Sequence, residues 1–170
     1  MTSVPRALAT ILVALLASSA ARLTGQSVTG QGIVTQRNIS LTMAKTIAEA
    51  AFAECKAKNF HTAVVVVDRA GQVLVVLRDE QASAATVEMA TRKAYTARTF
   101  RTSTLDFQKH TEDPAYAAQR NVKEILALGG GVPILAGDEV IGGVASSGSS
   151  QTQDDACAKA GVAKVAGLLK

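Results

Sequence analysis

The chain has 170 residues, enough for one domain with a modest core, and 48% of them are hydrophobic. Aromatic residues make up 4% and Trp is absent, which gives no help to an aromatic-lined sugar platform or haem pocket. The formal net charge of +4 comes without basic–aromatic clusters, which excludes an argument for nucleic acid but is compatible with an anionic small ligand.

Arg6 precedes an apolar run from Ala7 to Ala17 that is too short to span a bilayer comfortably, and Ser18-Ser19-Ala20-Ala21 follows it. A positive charge, an apolar core and small residues, with cleavage after Ala20 or Ala21, read as a secretory signal peptide over 1–21. The competing reading is a buried N-terminal helix. Residues 22–38, rich in Gln, Gly, Ser and Thr, read as a flexible lead-in to a folded domain over 39–170. No later segment is long and apolar enough for a membrane span. The expectation is a mature chain that is soluble and secreted or periplasmic.

The first helix is expected from Ser40 or Thr42 to about Lys58, with Leu41, Ala44, Ala48, Ala51, Phe52 and Cys55 on one face. Thr62 to Val67 and Val73 to Leu77 flank the turn Asp68-Arg69-Ala70-Gly71, a β-hairpin signal. Their nearly unbroken apolar character requires cover on both faces, from helices or another subunit. Ser83 reads as the N-cap of a helix reaching Arg101, with Val87, Ala90, Ala94 and Ala97 inward and a Glu88–Arg92 pair outward. Residues 102–128 read as helical in pieces, broken near Asp113-Pro114 and stopped by Gly129-Gly130-Gly131. Val132 to Leu135 and Val140 to Ala145 form a second hairpin around Ala136-Gly137-Asp138-Glu139. A final helix over Thr152 to Leu168 is expected to turn Ala156, Ala160, Ala163 and Leu168 inward. Hairpins separated by helices predict an α+β fold, an antiparallel sheet flanked by helices in a single domain.

The three glycines at 129–131 precede a strand containing Pro133, so a turn suits them better than a phosphate loop, which needs a following helix. Ser146 to Ser150 does precede a helix, but Asp154 and Asp155 complement its dipole, and Thr152-x-x-Asp155 resembles a capping box. If that loop lines a pocket, Ser147 and the backbone amides become ligand contacts. Arg92, Lys93, Arg98 and Arg101 make the middle helix basic, read either as a solvated face or as a patch that receives carboxylates. His61 abuts a strand as a loop or edge residue, and His110 stands in a polar stretch from which it could reach a metal or haem iron. Neither a metalloprotease nor a serine-hydrolase signature is present. Cys55 and Cys157 fall on two predicted helices. Export permits a disulfide between them, while alanine-rich surroundings suit buried free thiols.

Taken in order, Arg78-Asp79, Arg92 to Ala97, Gly129 to Ile134, Gly142-Gly143-Val144, Ser147-Gly148 and Gln153-Asp154-Asp155 resemble the GlcG/HbpS family, the haem-degrading domain family. The resemblance runs from Ile39 to Leu169. It implies a profilin-like α+β fold and a compact homo-oligomer, octameric in the haem-binding secreted member. For some members it also implies binding of haem and iron with slow haem breakdown; others are cytoplasmic and encoded with glycolate or diol metabolism. Many relatives carry Asp-Gly-Ala where this chain has Asp79-Glu80-Gln81-Ala82, so no ligand contact is carried over to that turn.

On this resemblance the expected function is a secreted or periplasmic haem-binding protein, with haem as cofactor, iron as a second ligand and slow haem degradation beside it. The alternative is a non-catalytic oligomeric accessory module that binds a small organic acid through Ser147 and Gly148. In the haem reading Arg92 and Lys93 hold the propionates, Tyr95 and Thr96 lie near the macrocycle, and His110 or Tyr95 is the axial ligand. No set of catalytic residues is indicated.

Overall fold

Val64 to Val67 form the centre of the molecule, because a β-branched run favours extended backbone and here both of its faces are covered. The computed structural model describes residue 32 and residues 34–170, and residues 35–170 form one compact unit. The expected signal peptide and most of the lead-in lie outside the described residues.

The element order is α1 (Leu41–Lys56), β1 (Ala63–Asp68), β2 (Val73–Arg78), α2 (Thr86–Phe100), α3 (Thr104–His110), a 3₁₀ turn (Ala117–Asn121), β3 (Gly131–Ala136), β4 (Glu139–Ser147), α4 (Gln151–Lys164) and a final 3₁₀ turn (Ala166–Leu168). The strands make one antiparallel sheet in the order β2-β1-β4-β3, so the two hairpins join through β1 and β4. Pro133 falls on the edge strand β3, where a missing N–H is tolerated. The α+β antiparallel architecture is the one the sequence predicts.

Alternation along β1 builds the two layers. Val64 and Val66 pack with Ala44, Ile47 and Ala51 of α1, Ala158 of α4, Ile134 and Val144 in the main core. Val65 and Val67 face the other way, onto Ala90 and Ala94 of α2 and Ala145. Helices α1 and α4 thus cover one face and α2 the other. The approach of α2 is close enough to need glycine: a Cβ at Gly143 would stand 2.4 Å from the Ala94 carbonyl oxygen. Ser40, Ser103 and Ser150 cap α1, α3 and α4 by accepting bonds from the amides of Met43, Asp106 and Gln153.

Three expectations need correction. Ser83 is not the side-chain cap of α2; its carbonyl receives the Thr86 amide and hydroxyl in a turn, and the helix begins at Thr86 behind Ala85. The inward face of α4 is Asp154, Asp155, Cys157, Ala158 and Gly161, while Ala156, Ala163 and Leu168 are exposed and Ala160 only half-buried. Gly129 to Gly131 stop no helix, because the 3₁₀ turn ends at Asn121 and irregular chain fills the gap. The helices leave the edge strand β2 partly bare, with Val73 and Val76 nearly half exposed, so of the two expected kinds of cover the helices supply only part there.

Cys55 of α1 and Cys157 of α4 form a disulfide with their Cα atoms 5.6 Å apart, closing a loop between residues 102 apart in sequence. In the chain-entropy model a loop of that length stabilises the fold by about 4–5 kcal/mol. Two measurements follow. The denatured, unreduced protein should show no free thiol, and the Cys55→Ala/Cys157→Ala variant should unfold at markedly lower denaturant. An unchanged midpoint would contradict the role given to the bridge.

Candidate functional site

Lys93 stands in the middle of α2 and its side chain is 1% exposed. Its Nζ donates to Asp154 Oδ2 at 3.0 Å, to the Ser146 carbonyl at 3.1 Å and to Ser147 Oγ at 3.4 Å, so all three ammonium protons have acceptors. Asp154, 2% exposed in the first turn of α4, accepts on its other oxygen from the Ser149 amide at 3.1 Å and the Ser149 hydroxyl at 2.7 Å. Burial pushes the Lys93 ammonium below its usual pKa, and the Asp154 charge and hydrogen bond oppose that shift. The loop at 129–131 closes over the pair. Gly130 has φ +122°, and a Cβ there would lie 2.7 Å from the Asp154 Cβ and 3.0 Å from Lys93 Nζ. Only glycine permits this.

A cleft of about 300 Å³ opens above the pair. Ser147 and Gly148, the expected substrate contacts, line it with Ser83, Met89 and Leu128. Its floor is a neutralised ion pair and its walls offer hydroxyls and two apolar side chains. Among the described residues no group of three or more His, Cys, Asp or Glu is placed to hold a metal ion. The arrangement suits binding of a small polar molecule.

The other expected site residues lie apart from this cleft. Arg92 donates to the Ile125 carbonyl at 2.9 Å and stands 3.7 Å from Glu88. Thr96 is fully buried; its hydroxyl donates to the Arg92 carbonyl and accepts the Leu126 amide, pinning the irregular segment to α2. Tyr95 is half-buried against Gly71 in the first hairpin turn. His110 is exposed at the end of α3 with its ring 4.0 Å from that of Tyr116. Among the described residues no hydrogen bond or ring contact joins His110 to the α2 set.

Two readings change. Lys93 belongs to no solvated face, because Asp154 draws it inside. The expected Thr152–Asp155 capping box is replaced by the Ser150 cap, which leaves Asp154 for Lys93, while Asp155 pairs with Lys159 at 2.7 Å. Asp154 is the residue that sequence reasoning assigned to the helix dipole alone. Two polar residues on the inward face of α4 were the available signal.

His61 Nδ1 stands 3.0 Å from Oδ1 of the buried Asp79, which also accepts the Gln81 amide at 3.0 Å and lies 3.4 Å from Lys56. The Gln81 amide, with the His61 contact added and burial opposing, holds the Asp79 carboxyl below its ordinary 3.8. A depressed carboxylate stabilises the fold above its unfolded pKa, and that contribution is lost as pH falls through the lower folded value. Asp79→Asn should therefore flatten the dependence of stability on pH below 3.8. An unchanged slope would contradict this role.

The buried pair generates a second expectation. Lys93→Met or Asp154→Leu alone leaves an uncompensated buried charge and should cost about 3–5 kcal/mol in equilibrium unfolding. The double variant should recover most of that loss, and additive losses would show that the two residues do not act as a pair.

Residues 39–163 match the family model described as haem degrading protein HbpS-like. The fold is similar to that of HbpS, at 30% sequence identity and a TM-score of 0.75, covering 81% of this chain and 96% of that one. It is also similar to the PduOC–haem complex, with a TM-score of 0.68 over 75% of this chain and 95% of that one; at 24% identity this likeness shows the fold. An uncharacterized 15.0 kDa protein from the dhaT–dhaS intergenic region of Citrobacter freundii is 33% identical over 119 residues, 68% of this chain and 84% of the relative. With its sheet, its glycine-closed loop and nearly all of its folded unit inside the matched region, the chain belongs to the HbpS-like family of haem degrading proteins.

Proposed function

We infer that the protein is an exported, homo-oligomeric haem-binding protein. The observation that carries the reading is the HbpS-like match across residues 39–163, and the haem complex of PduOC on the same fold supports it. A haem site needs a donor atom for iron, apolar surface for the macrocycle and cations for the propionates. The chain offers the cation on α2, and the donor and apolar surface around the end of α3. His110 is exposed there, its ring rests on Tyr116, and Tyr116 and Val122 offer exposed apolar surface.

His110 is the axial candidate and Arg92 the propionate candidate, because Lys93 could reach a propionate only by abandoning Asp154. Tyr95 is the second candidate donor, through its phenol oxygen, though its packing on Gly71 restricts its reach. Thr96 acts through position, holding the chain at Leu126. Bound haem would supply the redox and oxygen chemistry of its iron, the source of any slow haem breakdown and iron release; the chain binds and orients it. The bare apolar edge strand β2 is the surface that favours assembly with further copies.

The test is a haem titration of the mature protein followed by visible absorbance. A sharp Soret band that saturates at about one haem per subunit or per subunit pair is expected. His110→Ala should shift or abolish that band, and Arg92→Ala should weaken binding about tenfold. A broad, non-saturating spectrum would overturn the reading. Cleavage after Ala20 or Ala21, read by N-terminal sequencing of the expressed protein, checks export.

A further inference from the structure

A separate pocket of about 590 Å³ lies where the lead-in, the first hairpin turn, the C-terminal end of α2 and the second hairpin turn converge. Arg37, Arg69, Arg98 and Arg101 line it, with Asp138 and Glu139 beside them. Four guanidiniums against two carboxylates leave two positive charges in one concavity. The four arginines come from three segments, the lead-in, the first hairpin turn and the end of α2, so a single amphipathic stripe does not account for their meeting.

Three of them are fastened. Arg37 donates to the Ala136 carbonyl at 3.2 Å and to the Lys170 backbone oxygen at 2.5 Å, and Arg101 donates to the Asp138 carbonyl at 2.6 Å. Arg69 pairs with Glu139 and donates to the Val140 carbonyl at 3.3 Å and to Gln36 Oε1 at 3.1 Å. Carbonyl acceptors hold a guanidinium in place without neutralising it. Among the described residues the Arg98 side chain makes no hydrogen bond and no ion pair, although the residue is half-buried at the pocket wall. The C-terminal dipole of α2 offsets only about half a charge. Like charges gathered in a concavity raise its potential and draw in an anion.

We propose that this pocket binds a small oxyanion with at least two negative charges, a phosphate or a di- or tricarboxylate. Arg98 meets the anion, and Arg37, Arg69 and Arg101 hold the surrounding field. The fork of each guanidinium matches carboxylate and phosphate alike. The volume suits a small ligand, and the lining contains no aromatic ring to receive a macrocycle, so the site is distinct from the haem reading and from the Ser147 cleft.

Calorimetric titration of the haem-free protein at low salt tests this, with inorganic phosphate and citrate as probes and sodium chloride as the control. At least one probe should saturate one site per chain. Phosphate alone would identify a phosphate site, citrate alone a carboxylate site, and both a site that selects by charge. Arg98→Ala should weaken binding about tenfold or more, with a melting temperature close to the parent's when no probe is present. Should that variant fold poorly, Arg98→Lys keeps the charge and removes the fork, and should still bind several-fold more weakly. Absence of saturation by either probe up to about 10 mM, or parental affinity in the folded variant, would overturn the proposal.

Discussion

A buried ammonium and a buried carboxylate that have left water must stay together, and the pair Lys93–Asp154 imposes that condition on α2 and α4, which lie on opposite faces of the sheet. The pair ties the middle of α2 to the first turn of α4, across the end of β4. It requires glycine at 130, where any side chain would collide with Asp154. One helical turn further along α4, Cys157 binds the same helix to α1. α4 is therefore clamped electrostatically to α2 and covalently to α1, and the Ser146 to Ser150 loop between β4 and α4 has little freedom. The cleft beside Ser147 is a consequence of that clamp.

Much of the fold was legible because its signals are local. The valine run of β1, the Asp68 to Gly71 turn, the Ala136 to Glu139 turn and the β-branched Val140, Ile141 and Val144 of β4 each specify extended chain or reversal within a few residues. The start of α1 at Ser40 or Thr42 was readable for the same reason, whereas the Ser150 cap was missed in favour of Thr152. The face of α4 was not. In an alanine-rich helix, hydrophobic periodicity cannot choose between faces, and the rule that aspartates face water selects the wrong one when a lysine from another helix waits inside. Ser83 misled in a similar way: its backbone, and not its hydroxyl, makes the turn that starts α2.

The candidate site was legible in pieces. Ser147 and Gly148 were identified as loop contacts, and both line the cleft. Lys93 was singled out for its charge, yet its role depends on Asp154, which lies 61 residues later, and no spacing rule connects residues so far apart. Basic residues on α2 thus divide by environment. Lys93 is spent internally, Arg92 stays half-exposed beside Glu88, and Arg98 and Arg101 turn toward the opposite end of the helix, where Arg37 and Arg69 join them. One basic helix serves a core, an exposed flank and an anion pocket. Composition alone sees only their sum.

The central claim is that haem is held on the α3 flank through His110, with Lys93 kept in the core. Ferric haem added to protein labelled with nitrogen-15 in its histidines tests this directly by pulsed electron paramagnetic resonance. The account predicts hyperfine coupling from a labelled imidazole nitrogen that is unchanged in Lys93→Met/Asp154→Leu and lost in His110→Ala. Coupling that persists without His110, or a ferric signal with no histidine coupling, would contradict it.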